Sequence, residues 1–306
     1  MRAIWSMSLV LLLGVISPSV AQEESSPLEL GDARNSPSLS GLAPEAGKSV
    51  GSAPCEHSKL ITQDADPLGK GAWQLQLNAG HNRSTRQWGP SWREERRGRL
   101  YELSNQLVLT RGVSDDLDLA IGSGYSWLAD GETDLRSGHG LTDLTISAKW
   151  RFFENEEQRV ALAYVPTLTI PTGKDTSPDR LGPSQEFWSL DTRFAVVKDW
   201  SERWSTNFDI GYEAVFGDPG ASRGSFGANL ALGYQFLHHK LQPELEFNYS
   251  HDFTHRDQDA DLIAVTVGAV MPLSDLVSIR AGAQHGIAGR NVDQSTTILL
   301  SMDLNF

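Results

Sequence analysis

The 306-residue chain holds a single cysteine, Cys55, so no internal disulfide can staple it. Cys55 also lies too far from the N-terminal leader to be a lipid-anchored first residue, and it reads as incidental. Basic charge is scarce. Lys and Arg number 26 against 39 Asp and Glu, the formal net charge is −13 and the sequence pI is near 5.0. No basic surface dominates, which excludes a nucleic-acid partner. Beyond the N-terminus there is no long apolar run. A membrane helix needs about 20 apolar residues, so a helical membrane protein is excluded as well. A transmembrane barrel escapes that test, because only every second residue of its strands faces lipid.

The first residues read as a secretory signal peptide over 1–21. Arg2 supplies the basic end, Ser8 to Ile16 is mostly apolar, and Ser19-Val20-Ala21 offers small residues before a cut. Residues 22–70 are rich in Ser, Pro, Gly, Ala and acids and carry no sustained periodicity. Such a composition offers little apolar area against its ordering entropy, so the segment is expected to be a disordered periplasmic tail.

From Trp73 onward, period-two alternation begins and runs to the last residue. In Ser225–Phe236 the residues Phe226, Ala228, Leu230, Leu232, Tyr234 and Phe236 share one face, with Gly227, Asn229, Ala231, Gly233 and Gln235 on the other. The same phase holds at Leu117–Tyr125 and Leu144–Phe152. Similar runs start near Trp73, Tyr101, Val160, Trp188, Trp204, Pro243, Ile263, Val277 and Thr296. Together they give about twelve strands of roughly ten residues, enough to cross a bilayer when tilted. The expected fold is all-β, a transmembrane antiparallel up-and-down barrel over residues 71–306. A soluble β-sandwich or a periplasmic barrel would show the same alternation with its apolar face inside.

The connections alternate in length. Long ones are expected at Asn82–Arg99, Ala129–Gly140, Thr172–Glu186, Gly217–Gly224, Asp252–Asp261 and Ala288–Gln294. Short ones are expected near Gly112–Asp116, Phe153–Gln158, Asp199–Arg203, Leu237–Leu241 and Pro272–Leu276. Outer-membrane barrels have long extracellular loops and short periplasmic turns. Aromatics gather in two bands. Trp73, Trp150, Phe152, Trp204, Phe236 and Phe306 lie by the short turns, and Tyr125, Trp127, Trp188, Tyr212, Phe216, Phe226 and Tyr249 by the long loops, as interfacial girdles do.

The inward phase is polar and carries Lys149, Arg151, Asp191, Arg193, Asp209, Glu213, Glu244, Glu246 and Arg280 as lumen-lining candidates, beside Glu102, Asp118 and Asp303. Charges on a channel wall tune ion selectivity, and the same groups can instead close a narrow lumen with ion pairs. No cofactor or metal site is expected. His238-His239 is a turn pair, and His251 and His255 flank a solvated acidic loop with Asp252, Asp257, Asp259 and Asp261. An outer-membrane lipid hydrolase or acyltransferase would need a nucleophile, a base and an orienting group together. His285 and Ser123 sit on the outward phase of separate strands with nothing pairing them, so no enzyme is expected. Trp88, Trp92, Arg93, Arg96, Arg97 and Arg99 of the first loop have the side chains to contact lipopolysaccharide phosphates, or to fold into the barrel mouth.

Gly140-Leu141-Thr142-Asp143-Leu144 running into Ala148-Lys149-Trp150-Arg151-Phe152, then Tyr164-Val165-Pro166 with Leu168-Thr169-Ile170-Pro171-Thr172-Gly173, then Ala195–Trp200 with Trp204–Tyr212, are strand and turn motifs. They resemble the outer-membrane barrels named for the MetA pathway of phenol degradation, over roughly Gly71 to Phe306. The resemblance implies a transporter of aromatic or other hydrophobic compounds. The last strand, Ile298-Leu300-Met302-Leu304-Phe306, also resembles the terminal signal read by the barrel-insertion machinery. The expected function is passive passage of small molecules, hydrophobic or aromatic ones among them, through the outer membrane. Outer-membrane lipid and lipopolysaccharide are the expected surroundings, and the alternative is a non-conducting structural barrel.

Overall fold

A computed structural model describes residues 57–131, 136–177, 179–217, 222–236, 240–254 and 259–306. The signal peptide, the tail as far as residue 56, Cys55, His238, His239, His255 and Asp257 lie outside the described residues. Within them every regular element is a strand: β1 (Trp73–Trp88), β2 (Glu94–Ser114), β3 (Leu117–Asp130), β4 (Arg136–Leu141), β5 (Leu144–Asn155), β6 (Val160–Ile170), β7 (Trp188–Asp199), β8 (Trp204–Phe216), β9 (Ser222–Tyr234), β10 (Gln242–Thr254), β11 (Ala260–Ser274), β12 (Val277–Arg290) and β13 (Val292–Asn305).

Strands pair antiparallel with their sequence neighbours, except that β4 and β5 do not pair with each other, and β1 pairs with β13 to close the wall. Trp73 and Phe306 exchange both backbone hydrogen bonds at that seam, at 2.8 and 2.9 Å. β4 and β5 both pair with β3, one along Tyr125–Asp130 and the other along Leu117–Gly122. They are two halves of one stave, broken at Thr142-Asp143. Counted this way, the wall is a closed antiparallel barrel of 12 strands. Closure pairs the staves on both sides, as a lipid environment requires, and the side of β4 away from β3 is met by the loop after β6, where Lys174 N–H donates to the Leu141 carbonyl at 2.8 Å.

Burial separates the barrel from a sandwich. Leu119, Ile121, Val267, Ile298 and Leu300 are exposed on the outer face, whereas Asp209, Glu246, Thr266 and Thr297 are buried on the inner face. Apolar-out and polar-in is the reverse of a water-soluble fold. At roughly 25 cal/mol per Å² of apolar surface, so large an exposed apolar band is stable only against lipid. Trp150, Trp204 and Phe306 at one rim, and Trp127, Trp188 and Tyr212 at the other, are likewise exposed, as girdle residues should be.

Several expected loops are shorter than the sequence suggested. β1 and β2 continue as a paired hairpin to Trp88 and Glu94 with a turn at 89–93, so most of Asn82–Arg99 is strand. β3 runs to Asp130, and β12 and β13 nearly meet at Asn291, whose φ is 53°. Past the hydrocarbon layer the outer face turns polar, so the alternation fades. The backbone ladder, which needs no apolar side chain, continues. Among the described residues, only the connection after β6, residues 171–187, stays a long irregular loop.

Candidate functional site in the barrel lumen

Residues 57–70, expected as part of a disordered tail, are placed inside the barrel. The boundary of 22–70 is therefore corrected, because this stretch carries charged groups that match those on the inner wall. At its start, the carbonyl of His57 accepts from Asn207 Nδ2 at 2.7 Å, and the His57 ring bridges Asp66 and Asp199, the latter at 2.8 Å. Burial disfavours charge on the ring, but the two carboxylates outweigh it and push the His57 pKa up to about 9. Burial likewise acts against the Asp66 carboxylate, and His57, Lys149 and Arg151 hold it below its ordinary value.

The middle of the segment is held by its backbone. Glu246 accepts the N–H groups of Leu60 and Thr62 at 2.9 and 2.8 Å, that of Ile61 at 3.1 Å, and the Thr62 hydroxyl at 2.6 Å. Asp209 accepts Gln63 N–H at 2.8 Å, and Asp118 accepts Leu68 N–H at 2.9 Å. Side chains add ion pairs, Lys59 with Glu244 at 3.2 Å and Lys149 with Asp64. Arg280 donates to the Lys59 carbonyl at 2.6 Å and is itself fixed by Asp303 at 3.0 Å. Carboxylates receiving several charge-assisted bonds in a low-dielectric interior are strong anchors.

Shape contributes too. Ala65 is fully buried against Ala161, Ala163, Val165 and Val197. Gly268 and Gly282, directly paired on β11 and β12, leave room for Leu60, since a Cβ at either would lie 2.3 or 2.5 Å from its Cδ1. At the exit, Gly71 N–H donates to the Gly112 carbonyl at 2.8 Å. His57 meets the end of β7 and Gly71 the end of β2, so the segment enters and leaves at the same rim, that of the short turns.

The candidates found by sequence fall into three groups. Lys149, Asp209, Glu244, Glu246 and Arg280 touch the inner segment directly. Arg193 sits between Asp191 and Asp209, at 2.7 Å from each, and so acts on the segment through Asp209. Glu213 lies further along, accepting from Ser225 Oγ at 3.1 Å, and Arg151 lies at the short-turn rim, paired with Asp116 and Glu154. Sequence reasoning missed the segment's own residues, His57, Lys59, Thr62 and Asp64. Their one signal was a run of charged residues with Leu60 and Ile61 after the Ser/Pro-rich stretch.

Beyond the segment the lumen is lined by amides and hydroxyls. Asn248 links Asn229, Thr266 and Gln284 at 2.8 to 3.1 Å. Asn78 Nδ2, Gln106 Oε1 and Ser189 Oγ are buried without a protein partner among the described residues, and buried polar atoms of this kind take water. At the far rim Arg97 pairs with Asp130 and Asp293, and Trp88 packs on Ala260 and Val292. Both therefore point inward, which removes them from the expected lipopolysaccharide contacts.

Two features of the wall stand out. Asp143, at the broken stave, accepts from Gly173 N–H, Ser184 Oγ and Gln185 N–H at 2.7 to 2.9 Å and so seats the loop after β6. The β5–β6 ladder skips from Ser147↔Thr167 to Trp150↔Tyr164. The gap coincides with Pro166, which has no N–H to give. On the outer face an open crevice lies there, lined by Leu117, Ala148, Trp150, Tyr164 and Pro166. Of the two residues weighed for an enzyme, His285 bonds Thr296 on β12 and β13, while Ser123 on β3 lies against the Thr142 carbonyl.

A closed, lipid-faced barrel with a polar lumen is the architecture of outer-membrane proteins. The chain belongs to the family described as "Putative MetA-pathway of phenol degradation", whose model matches residues 74–302. Among solved structures it is similar to the COG4313 outer membrane channel of Pseudomonas putida F1, with 19% identity and a TM-score of 0.70 over 81% of this chain and 100% of that one. The β domain of the Bordetella autotransporter BrkA is more distant, with 10% identity and a TM-score of 0.48 over 77% and 99%. No curated protein matches the chain.

Proposed function

We propose that the protein is an outer-membrane channel for passive passage of small molecules, closed at rest by residues 57–70. The observation that carries this reading is the manner of closure. One stretch of chain, entering and leaving at one rim, is held by side-chain groups and can withdraw without unthreading the wall. A barrel of about eight strands is filled by side chains of the wall itself and has no such separable closure. The named similarity to a channel of Pseudomonas putida F1 supports the same reading. The polar lumen suits hydrated solutes, and the family description points to aromatic compounds. For an apolar cargo the wall crevice at Pro166 offers a side route. The rim at which residues 57 and 71 lie is assigned to the periplasm, together with the tail before them.

The test is single-channel recording in planar bilayers with the full chain, after confirming heat-modifiable gel migration. Rare, discrete openings that become frequent when Glu246 is substituted support a gated channel. A folded barrel that stays silent in both forms would move the assignment to a non-conducting structural barrel.

A further inference from the structure

The outer face of the β1–β2 hairpin carries cations with no acidic partner. Arg83 and Arg99 are exposed, and neither makes an ion pair among the described residues. Arg83 stands directly opposite Tyr101 on one side and Thr296 on the other. Arg99 lies two residues along β2 from Tyr101, on the same face. Like charges at such cross-strand neighbours repel, and Glu94, further out on the same hairpin, is already paired with Arg86. The outward arginine at the opposite rim differs: Arg111 lies 4.8 Å over the ring of Trp73.

The surroundings define what the pair would take. One row closer to the membrane centre, His81 meets Tyr101 edge-on at 5.2 Å, and Leu103, Trp127, Ile298 and Leu300 are exposed to lipid. The arginines therefore stand just above the apolar belt, on the side of the longer hairpins. On the β7–β8 sector that level carries Trp188, Tyr212 and Phe216. A guanidinium is the side chain best matched to phosphate oxygens, in bidentate geometry. An anion with acyl chains attached would satisfy both halves of the surface.

We propose that Arg83 and Arg99, with Tyr101, bind the phosphate of lipid A in lipopolysaccharide, its acyl chains lying on Leu103, Ile298 and Leu300. The sequence had pointed to Arg93, Arg96, Arg97 and Arg99. The structure turns Arg97 inward, adds Arg83, and leaves Arg93 and Arg96 further out on the hairpin.

The experiment measures binding of the refolded full chain, in detergent micelles, to diphosphorylated lipid A and to its dephosphorylated form. Wild type is expected to prefer the phosphorylated lipid by about tenfold or more. The double substitution Arg83→Ser with Arg99→Ser is expected to lose that preference, whereas Arg111→Ser keeps it. If the double variant lacks heat-modifiable migration, Arg83→Gln and Arg99→Gln are measured singly, with a loss of about threefold expected in each. Equal binding of both lipids by wild type, or a preference retained in the arginine variants or lost equally in Arg111→Ser, overturns the proposal.

Discussion

Glu246, midway along β10, gathers three successive backbone N–H groups and a hydroxyl from Leu60, Ile61 and Thr62 on its two carboxylate oxygens. In Glu246→Gln one of those oxygens becomes an amide donor facing donors. Losing charge-assisted bonds in a buried site costs roughly 2–3 kcal/mol, about 30- to 160-fold in the ratio of docked to released segment. Open probability in planar bilayers should rise more than tenfold. An unchanged trace from a folded variant would mean that the segment does not control the pore.

Acidity should act on the same contact. His57 is raised from 6.5 to about 9 by its two carboxylate neighbours. Its charge thus favours the docked segment fully below pH 6.5, and that contribution, about 3 kcal/mol at most, is lost as pH rises through 9. Asp66 is lowered, so its contribution is present above about pH 4 and is lost as pH falls below that. Docking through this pair is strongest between about pH 4 and 6.5. Channel opening should increase as pH rises from 6.5 to 9 in wild type and level off above that, and His57→Gln should flatten that rise. A rise that survives the substitution assigns it to other groups.

The barrel was legible because its signal is redundant. Each strand repeats the same two-residue contrast, and the charged inward phase at Lys149, Asp209 and Glu246 breaks it nowhere. The strand ends were less legible, since Arg83, Thr85 and Gln87 lie beyond the apolar belt, where polar residues occupy both faces. The inner segment was not legible. A stretch such as His57–Lys70 has no period, because it is held by backbone N–H groups that any sequence carries. What identifies it is the set of carboxylates waiting on the wall, and alternation shows their side of the sheet but not their partners.

Two lumen arginines should separate selectivity from folding. Arg151 sits at the rim with Asp116 and Glu154, and Arg193 is enclosed by Asp191 and Asp209. Arg151→Glu should fold normally and shift the reversal potential in a salt gradient toward cations. Arg193→Glu places a third acid in a buried cluster. Breaking such a pair costs roughly 3–5 kcal/mol, so a lower unfolding midpoint in urea is expected. Wild-type reversal potentials in Arg151→Glu would remove that side chain from the ion path.

The gap in the β5–β6 ladder offers a test of the route taken by apolar cargo. Pro166 faces outward in the crevice beside Trp150 and Tyr164, where the pairing of Ala148 and Lys149 is missing. Pro166→Thr returns an N–H to the strand and a β-branched residue suited to it, which should close the seam and stabilise the wall by roughly 1 kcal/mol. If apolar molecules leave the lumen sideways here, uptake of a small aromatic compound into proteoliposomes should fall several-fold. Ionic conductance, which follows the lumen, should stay within a factor of two. Equal loss of both would place the effect in the lumen, and loss of neither would leave the aqueous path as the route for every cargo.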